Sequence, residues 1–568
     1  MPQRSTKVYA GSGPLIGGMN EGRNPALLSD GQYWRGVNIT NRGGLIKTRP
    51  RWTKVVNLPD SCSRAAVYRL HAGDRLVYTT SQGCRLLNLD HATVTELTTV
   101  PVNDKAFFGF PDRYCVIQDG TMAPVVVEED ALYTGTVEHM PIGTIMSYGN
   151  YHLNLVPKFV PDNNGDPSTE DGRPSFLVGD ILQPFNPSTV LDFTSTNYYN
   201  DGGALTLPIE AGFITGMTFM RGAETGSGVG NLVVIAQFGV SAFAVNVPRG
   251  SWGEHQIGQV LFSGIGGVSA DSIVSINGDV WMRSTDGVRS IGYGTEQSRG
   301  TGNIQNLPQS AEVSTTLNMD TEADLALSSM AHADHRLAIT TGGRTGNGFK
   351  ALAVMDGQIL SERAKRSPEV WESLWTGFDI KQVLALRHNG KERLAVIADV
   401  DGETSLWTLD DDAVGDNGTT PPVCRFYTQS FQFESVLDSV RIETADLWLG
   451  DIVGPLKVTV YFRPGDYPKW TEMGSKTITG DGKHAYASRC RFAVNRDKVS
   501  CNPLTGQRLD LGKSFQFCIE WEGNCTLVQQ MFTADRNAPE VPYRADSVVS
   551  IDSLPGVELD DFEYRVIS

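Results

Sequence analysis

The chain has 568 residues, with 65 Asp and Glu against 48 Lys and Arg, for a formal net charge of −17. A 40% apolar and 20% charged composition is that of a globular protein, and no run approaches the roughly 18 apolar residues of a membrane-spanning helix. The acidic balance argues against a static nucleic-acid binder, because such affinity comes from Lys and Arg neutralising phosphates. With 60 glycines and 28 prolines the chain favours many turns over long helices, and an all-β fold is expected.

The first 54 residues are the exception to the acidity. They hold nine Lys and Arg against Glu21 and Asp30, or +7, which leaves −24 for the rest. Within them DGQYWRGVNITNRGGLIKTRPRW, residues 30 to 52, alternates apolar and polar positions through Tyr33, Trp34, Val37 and Ile39. It breaks at Asn41-Arg42-Gly43-Gly44 and resumes at Leu45-Ile46. Two glycines supply the positive φ of a tight turn, so the pattern predicts a β-hairpin, ended by Pro50, which has no N–H to give. So close to the chain start, it is expected outside the core. Its basic residues fit either a solvated strand face or contact with an acidic partner, most simply another part of the same acidic assembly.

A unit then recurs: apolar strand, turn with Gly or Asp, second apolar strand. It appears at 73, 111, 230, 278, 333 and 390, with consecutive units starting roughly 40 to 60 residues apart, the period of a four-stranded propeller blade. Runs such as LVVIAQF and LAVIADV are apolar on both faces, as strands sandwiched between neighbouring blades must be. Between 130 and 230 the pattern blurs, and one or two further units are expected there. A β-sandwich or jelly roll competes, since its strands also recur every 8 to 12 residues. Helix is predicted over 308–330, with Ser310 or Ser314 as cap and a break near Asn318-Met319-Asp320 that would make two short helices. A shorter helix is predicted over 367–375, capped by Ser367, with Pro368 first and Trp371 and Trp375 one turn apart.

The resulting division is an N-terminal hairpin and assembly segment (1–54), a β-propeller (55–410), a linker or exposed loop (411–422), a β-sandwich-like domain (423–539) and an extended acidic C-terminal arm (540–568). The fold class is therefore all-β, a propeller with an appended small sandwich-like domain and few short helices.

No motif for catalysis stands up. HADH at 332–335 runs directly into a strand and reads as a turn rather than a metal site. DVDGE at 399–403 starts like a calcium loop but lacks the Glu at the twelfth position, so a hairpin turn is expected. GSGPLIGG (11–18) and GIGG (264–267) lack the strand–helix setting and Gly-Lys-Ser/Thr ending of a phosphate loop. STDG (284–287) lacks the rest of an aspartate box, and no G-x-S-x-G elbow occurs. Carboxylate pairs for glycoside cleavage meet in space and leave no sequence signature. The eight cysteines form no C-x-x-C, and the start MPQRSTKVYAGSG has no apolar signal-peptide core, so reduced structural thiols in a cytoplasmically made protein are expected. No catalytic, cofactor or metal residues are assigned.

One resemblance stands out. Gly17-Gly18-Met19, Leu28-Ser29-Asp30-Gly31-Gln32, Val37-Asn38-Ile39 and Thr48-Arg49-Pro50 resemble, in this order, the phrases that open the nozzle, or tail tubular, proteins of short-tailed bacteriophages before their propeller. A second likeness lies at 308–340, where the family shows short Ser-started helices and then an Asn-Arg-Leu strand opening. This chain has His335-Arg336-Leu337 instead.

The resemblance implies a non-enzymatic virion structural protein, made in the host cytoplasm and placed at the end of a short tail as a homo-oligomeric, usually hexameric, ring. Its implied partners are the tail adaptor, with tail fibres and the host surface as further contacts, and double-stranded DNA in transit without stable binding. In that setting Arg42, Gly43, Gly44, Arg49, Pro50 and Arg51 are the candidate assembly interface. A receptor- or glycan-binding tail protein, or a polysaccharide-degrading enzyme, are the alternatives.

Overall fold

The computed structural model describes residues 7–536 apart from 14, 100–104, 138, 162–166, 194–202, 221–230, 245–257, 293–307, 347, 358–369, 411–421, 434–438, 466, 482–487 and 504–505. The expected linker, but for its edge, and the acidic arm lie outside the described residues. The fold is all-β: one large curled sheet and several small ones, with only short helical turns between them.

The six repeated phrases are antiparallel hairpins. Gly73–Thr80 pairs with Gly83–Asn88, Tyr114–Gln118 with Val125–Glu128, and Asn231–Ala236 with Gly239–Phe243. Asp279–Ser284 pairs with Gly287–Ser290, Arg336–Thr345 with Gly348–Asp356, and Lys391–Val400 with Glu403–Asp410. Each forms the middle of its sheet. Flanking strands such as Arg64–Leu70 and Thr93–Thr98 complete the first, and Val370–His388 spans two sheets, its early residues joining Gly348–Asp356 and its later ones Lys391–Val400. The blurred region supplies one more sheet, in which His152–Pro157 pairs with Ser175–Val178 across a long excursion that includes its own small hairpin, Phe159–Pro161 with Pro167–Asp171. Seven small antiparallel groups therefore follow one another along 51–410, counting the two that belong to the large sheet.

Their middle strands are apolar on both faces because each face meets a neighbouring sheet. Tyr68 and Val77 of the first group pack on Cys115 and Ile117 of the second, and Phe176 and Val178 of the third on Leu232 and Val234 of the fourth. Val233 and Ile235 then meet Val280 and Met282, and Leu352 and Val354 meet Leu394 and Val396. The last group returns to the first, since Ile397 and Leu406 share a cluster with Leu76 and Tyr78. Arg51–Asn57, from the N-terminal segment, is the outermost strand of that last group, paired with Glu403–Asp410. Full burial of each such Leu, Ile or Val contributes about 1.5–3 kcal/mol.

The remaining strands, from Val423–Tyr427 to Ser514–Asp535, include two very long ones. Val440–Pro464 pairs along its length with Ser514–Asp535, and Thr471–Asp481 and Ser488–Ala493 line its other edge.

Two helix expectations are corrected in part or whole. The 308–330 stretch does break near 318–320, into a 3-10 turn Ala311–Val313 running into the single turn Ser314–Leu317, then the helix Glu322–Leu327. Neither Ser310 nor Ser314 caps through its side chain. Thr321 does, in a reciprocal box with Asp324. The helix over 367–375 is not formed where the chain is described: Val370 onward is strand. A register shift between Val354 and Met355 leaves Glu372 as an extra residue and turns Trp371 and Trp375 to opposite faces, each in a different apolar cluster. No helix among the described residues is long and apolar enough to cross a membrane.

Candidate functional site

The N-terminal segment forms the predicted hairpin only at its tip, where Ile39–Thr40 pairs with Ile46–Thr48 around Gly43 and Gly44, both at positive φ (87° and 82°). Its placement departs from expectation. Tyr33, Ile39 and Ile46 are fully buried in the largest core cluster. Instead of pairing with each other, most of its strands pair far along the chain. Lys7–Ala10 pairs with the end of Ser514–Asp535, Ile46–Thr48 with the middle of that strand, and Arg35–Val37 lies between Val423–Tyr427 and residue 374.

Asn38 is the knot of this arrangement. It sits at φ 54°, a left-handed conformation that Asn tolerates better than most residues. Its amide nitrogen donates to Thr376 Oγ1 (3.0 Å) and to the Val423 carbonyl (2.9 Å). Its side-chain oxygen accepts from the Thr376 N–H (2.8 Å) and from Arg49 Nε (2.9 Å). One side chain thus ties strand 370–388 to strand 423–427.

Beside it lies a buried charged network. Arg42 Nε donates to Asp356 at 2.6 Å, and its terminal nitrogens reach the Asp334 carboxylate and carbonyl, both at 2.8 Å. Arg336 contacts Glu372 and Asp334, each at 3.3 Å. Thr40 donates to a Glu372 carboxylate oxygen and Tyr33 to the Glu372 carbonyl. Burial pushes the Glu372 carboxyl up to about 7 against the opposing pull of Arg336, and it raises the Tyr33 phenol further still.

A third contact joins the segment to the 311–317 turn. Glu21 accepts from the Thr316 N–H at 2.7 Å and pairs with buried Arg35 at 3.7 Å, while a Cβ on Gly22 would lie 2.3 Å from the Ala311 carbonyl oxygen.

The candidate interface residues separate accordingly. Arg49 is only 3% exposed, and it donates to Asn38 and to the Pro50 and Thr376 carbonyls, which makes it part of the fold. Arg42 is partly exposed and held by two aspartates of its own chain. Gly43 is exposed, whereas Gly44, Pro50 and Arg51 are half-buried. A cleft of about 280 Å³ opens beside Gly44, lined by Leu15, Leu45, Ile46, Leu527 and Val528. In the sequence Asn38 stands out only as part of the Val37-Asn38-Ile39 phrase. Glu372 and Asp356 carry no local signal, because their partners lie hundreds of residues away.

A separate charged group gathers where the leading strands of several small sheets begin. Arg64, nearly buried, pairs with Asp271 at 3.4 Å and donates to the Leu327 carbonyl at 3.0 Å. Burial, partly offset by Asp271, lowers the Lys105 ammonium, and Arg64 lowers it further. Arg344 is likewise lowered, by burial and then by Arg64. Residues from the first, second, fifth and sixth groups thus feel one another across the centre of the 51–410 region.

The remaining motifs are structural. Asp334 and His335 form the two-residue turn of a hairpin, both at positive φ, and Asp401-Gly402 does the same in DVDGE. STDG is the turn between Asp279–Ser284 and Gly287–Ser290. Among the described residues no group of three or more His, Cys, Asp or Glu is placed to hold a metal. All eight cysteines are free thiols, seven of them buried, and burial raises Cys62 and Cys84 to about 12.

No family model matches the chain, and no curated protein matches it. Solved structures similar to it include the crystal structure of the mitotic checkpoint complex, at 9% identity and TM-score 0.36 over 64% of this chain and 93% of that one. Another is the computationally designed Ika8 protein, at 12% identity and TM-score 0.32 over 63% of this chain and all of that one. Likeness at this level carries no argument about the present chain.

Proposed function

We propose that this chain is the subunit of a distal nozzle ring in a short phage tail, a conduit for genome ejection rather than an enzyme. The observation that carries the reading is that the two stretches resembling the nozzle family, 17–50 and 308–340, pack on each other. Glu21 meets Thr316, and Arg42 meets Asp334. Residues shared with the family phrases hold structural posts: Asn38 and Arg49 bond each other, and Gly18, at φ 72°, leaves 2.1 Å between a would-be Cβ and Val370.

On this reading the seven small sheets are the blades of a β-propeller, with Arg51–Asn57 closing the last blade, and 423–535 is a sandwich-like appendage. Support comes from the order of the apolar clusters, which runs from sheet to sheet and returns to the first. The charged group around Arg64 and Asp271 then sits on the propeller axis, so DNA passes along the axis of the oligomer and not through one chain. An acidic lumen suits passage, because like charge within about a Debye length of 8 Å discourages sticking of phosphates. The adaptor, tail fibres and host surface are the partners of such a ring, and the virion tail is its location.

Negative-stain images of the purified protein test the proposal. Rings, six-fold for a hexamer, with a central pore wide enough for a DNA duplex are expected. A solid trimer would overturn it in favour of a receptor-binding or polysaccharide-degrading tail protein.

A further inference from the structure

We propose that the network of Arg42, Arg336 and Glu372 is a proton-operated clasp, which holds the 39–48 hairpin on the 330–388 strands more tightly when Glu372 carries a proton. The argument is a charge count in a closed space. The groups facing Glu372 are Tyr33, Thr40 and Arg42 from the N-terminal segment, Asp334 and Arg336 from the hairpin at 330–345, and Asp356 at the end of the next strand. Glu372 and Asp356 are wholly inaccessible, and Arg336 is 2% exposed. Three carboxylates face two guanidiniums, so the fully ionised network holds one excess negative charge away from water. One proton on Glu372 balances it. The β-bulge keeps Glu372 there, since it is the extra residue between the paired positions Trp371 and Ser373.

The direction follows by linkage. The hairpin, when open, exposes Glu372 at an ordinary carboxylate value near 4.3, whereas the closed network raises it to about 7. The closed form therefore binds more protons between these values. Its advantage is fully present below the lower value, declines as pH rises, and is gone above the upper one.

Hydrogen exchange read by mass spectrometry on the full chain, corrected for intrinsic rates, tests this between pH 5.5 and 7.5. Opening of peptides covering 36–48 is expected to rise on the order of tenfold from pH 5.5 to 7 and then level off, relative to the strand at 114–118. Glu372→Gln is expected to abolish the rise. A flat wild-type profile, or an unchanged rise in E372Q, would overturn the clasp. If E372Q does not fold, Asp356→Asn serves instead. It leaves two carboxylates against two guanidiniums, so the rise is expected to shrink and move to lower pH, and an unaltered rise would equally refute the proposal.

Discussion

The hairpins of the small sheets and the first 57 residues meet the same need, pairing buried backbone groups, in opposite ways. Gly73–Thr80 finds its partner two residues on, across a tight turn, and its side chains fill the space to the adjacent sheet. The N-terminal strands find theirs at 374, 403–410, 423–427 and 526–535, and no two of these partners are neighbours in sequence. The first kind of pairing makes repeated, nearly independent modules. The second joins modules that have no other covalent reason to be adjacent, so damage to it is expected to spread.

The largest expected effect is Trp52→Ala. Trp52 is buried in the strand that closes the last small sheet, edge-on to Trp375 at 6.0 Å, and truncation leaves a cavity costing about 3–5 kcal/mol. Chemical denaturation should show a lower midpoint, and a loss under about 1 kcal/mol would mean that this strand does not close the sheet. Gly18→Ala comes next, at about 1–3 kcal/mol, because its positive φ and the 2.1 Å approach to Val370 force the backbone to shift. The contrast with a local module is Ile117→Val, deep between the first two sheets, for which about 0.5–1.5 kcal/mol is expected and no change in the N-terminal contacts. Arg69→Ala, which removes an exposed pair with Glu392 at 2.7 Å, should shift stability by less than about 0.5 kcal/mol.

The same contrast explains which features are legible in the amino-acid sequence. Six hairpins are legible because period-two apolar runs and turn glycines are local signals. The third sheet blurs because the excursion between Pro157 and Ser175 separates strands that pair. The helix expected over 367–375 shows a true ambiguity: Ser-Pro-Glu looks like a helix start, and tryptophans four apart suit a helix face as well as a strand face. The Thr321–Asp324 capping box is present as T-x-x-D, but Ser310 and Ser314 compete with it as helix starts. The buried position of 30–52 is invisible for a different reason, since alternation reports that one face is covered and not by what. Arg49 shows the consequence: in the sequence it is one more basic residue, and in the fold it is a buried donor to Asn38. The Glu372 network depends on three separate stretches meeting and on a bulge, neither of which has a sequence signature.

The central claim is that the N-terminal segment, through Asn38, holds the 51–410 sheets and the 423–535 sheet together as one cooperative body. Differential scanning calorimetry of the wild type and of Asn38→Ala tests it most directly. Loss of Asn38 removes four hydrogen bonds at the junction and leaves buried partners unpaired, at about 1–3 kcal/mol for each orphaned group. The account predicts a single wild-type transition that splits in the variant into two, one for each part. A variant that still unfolds in one transition at the wild-type temperature would contradict it.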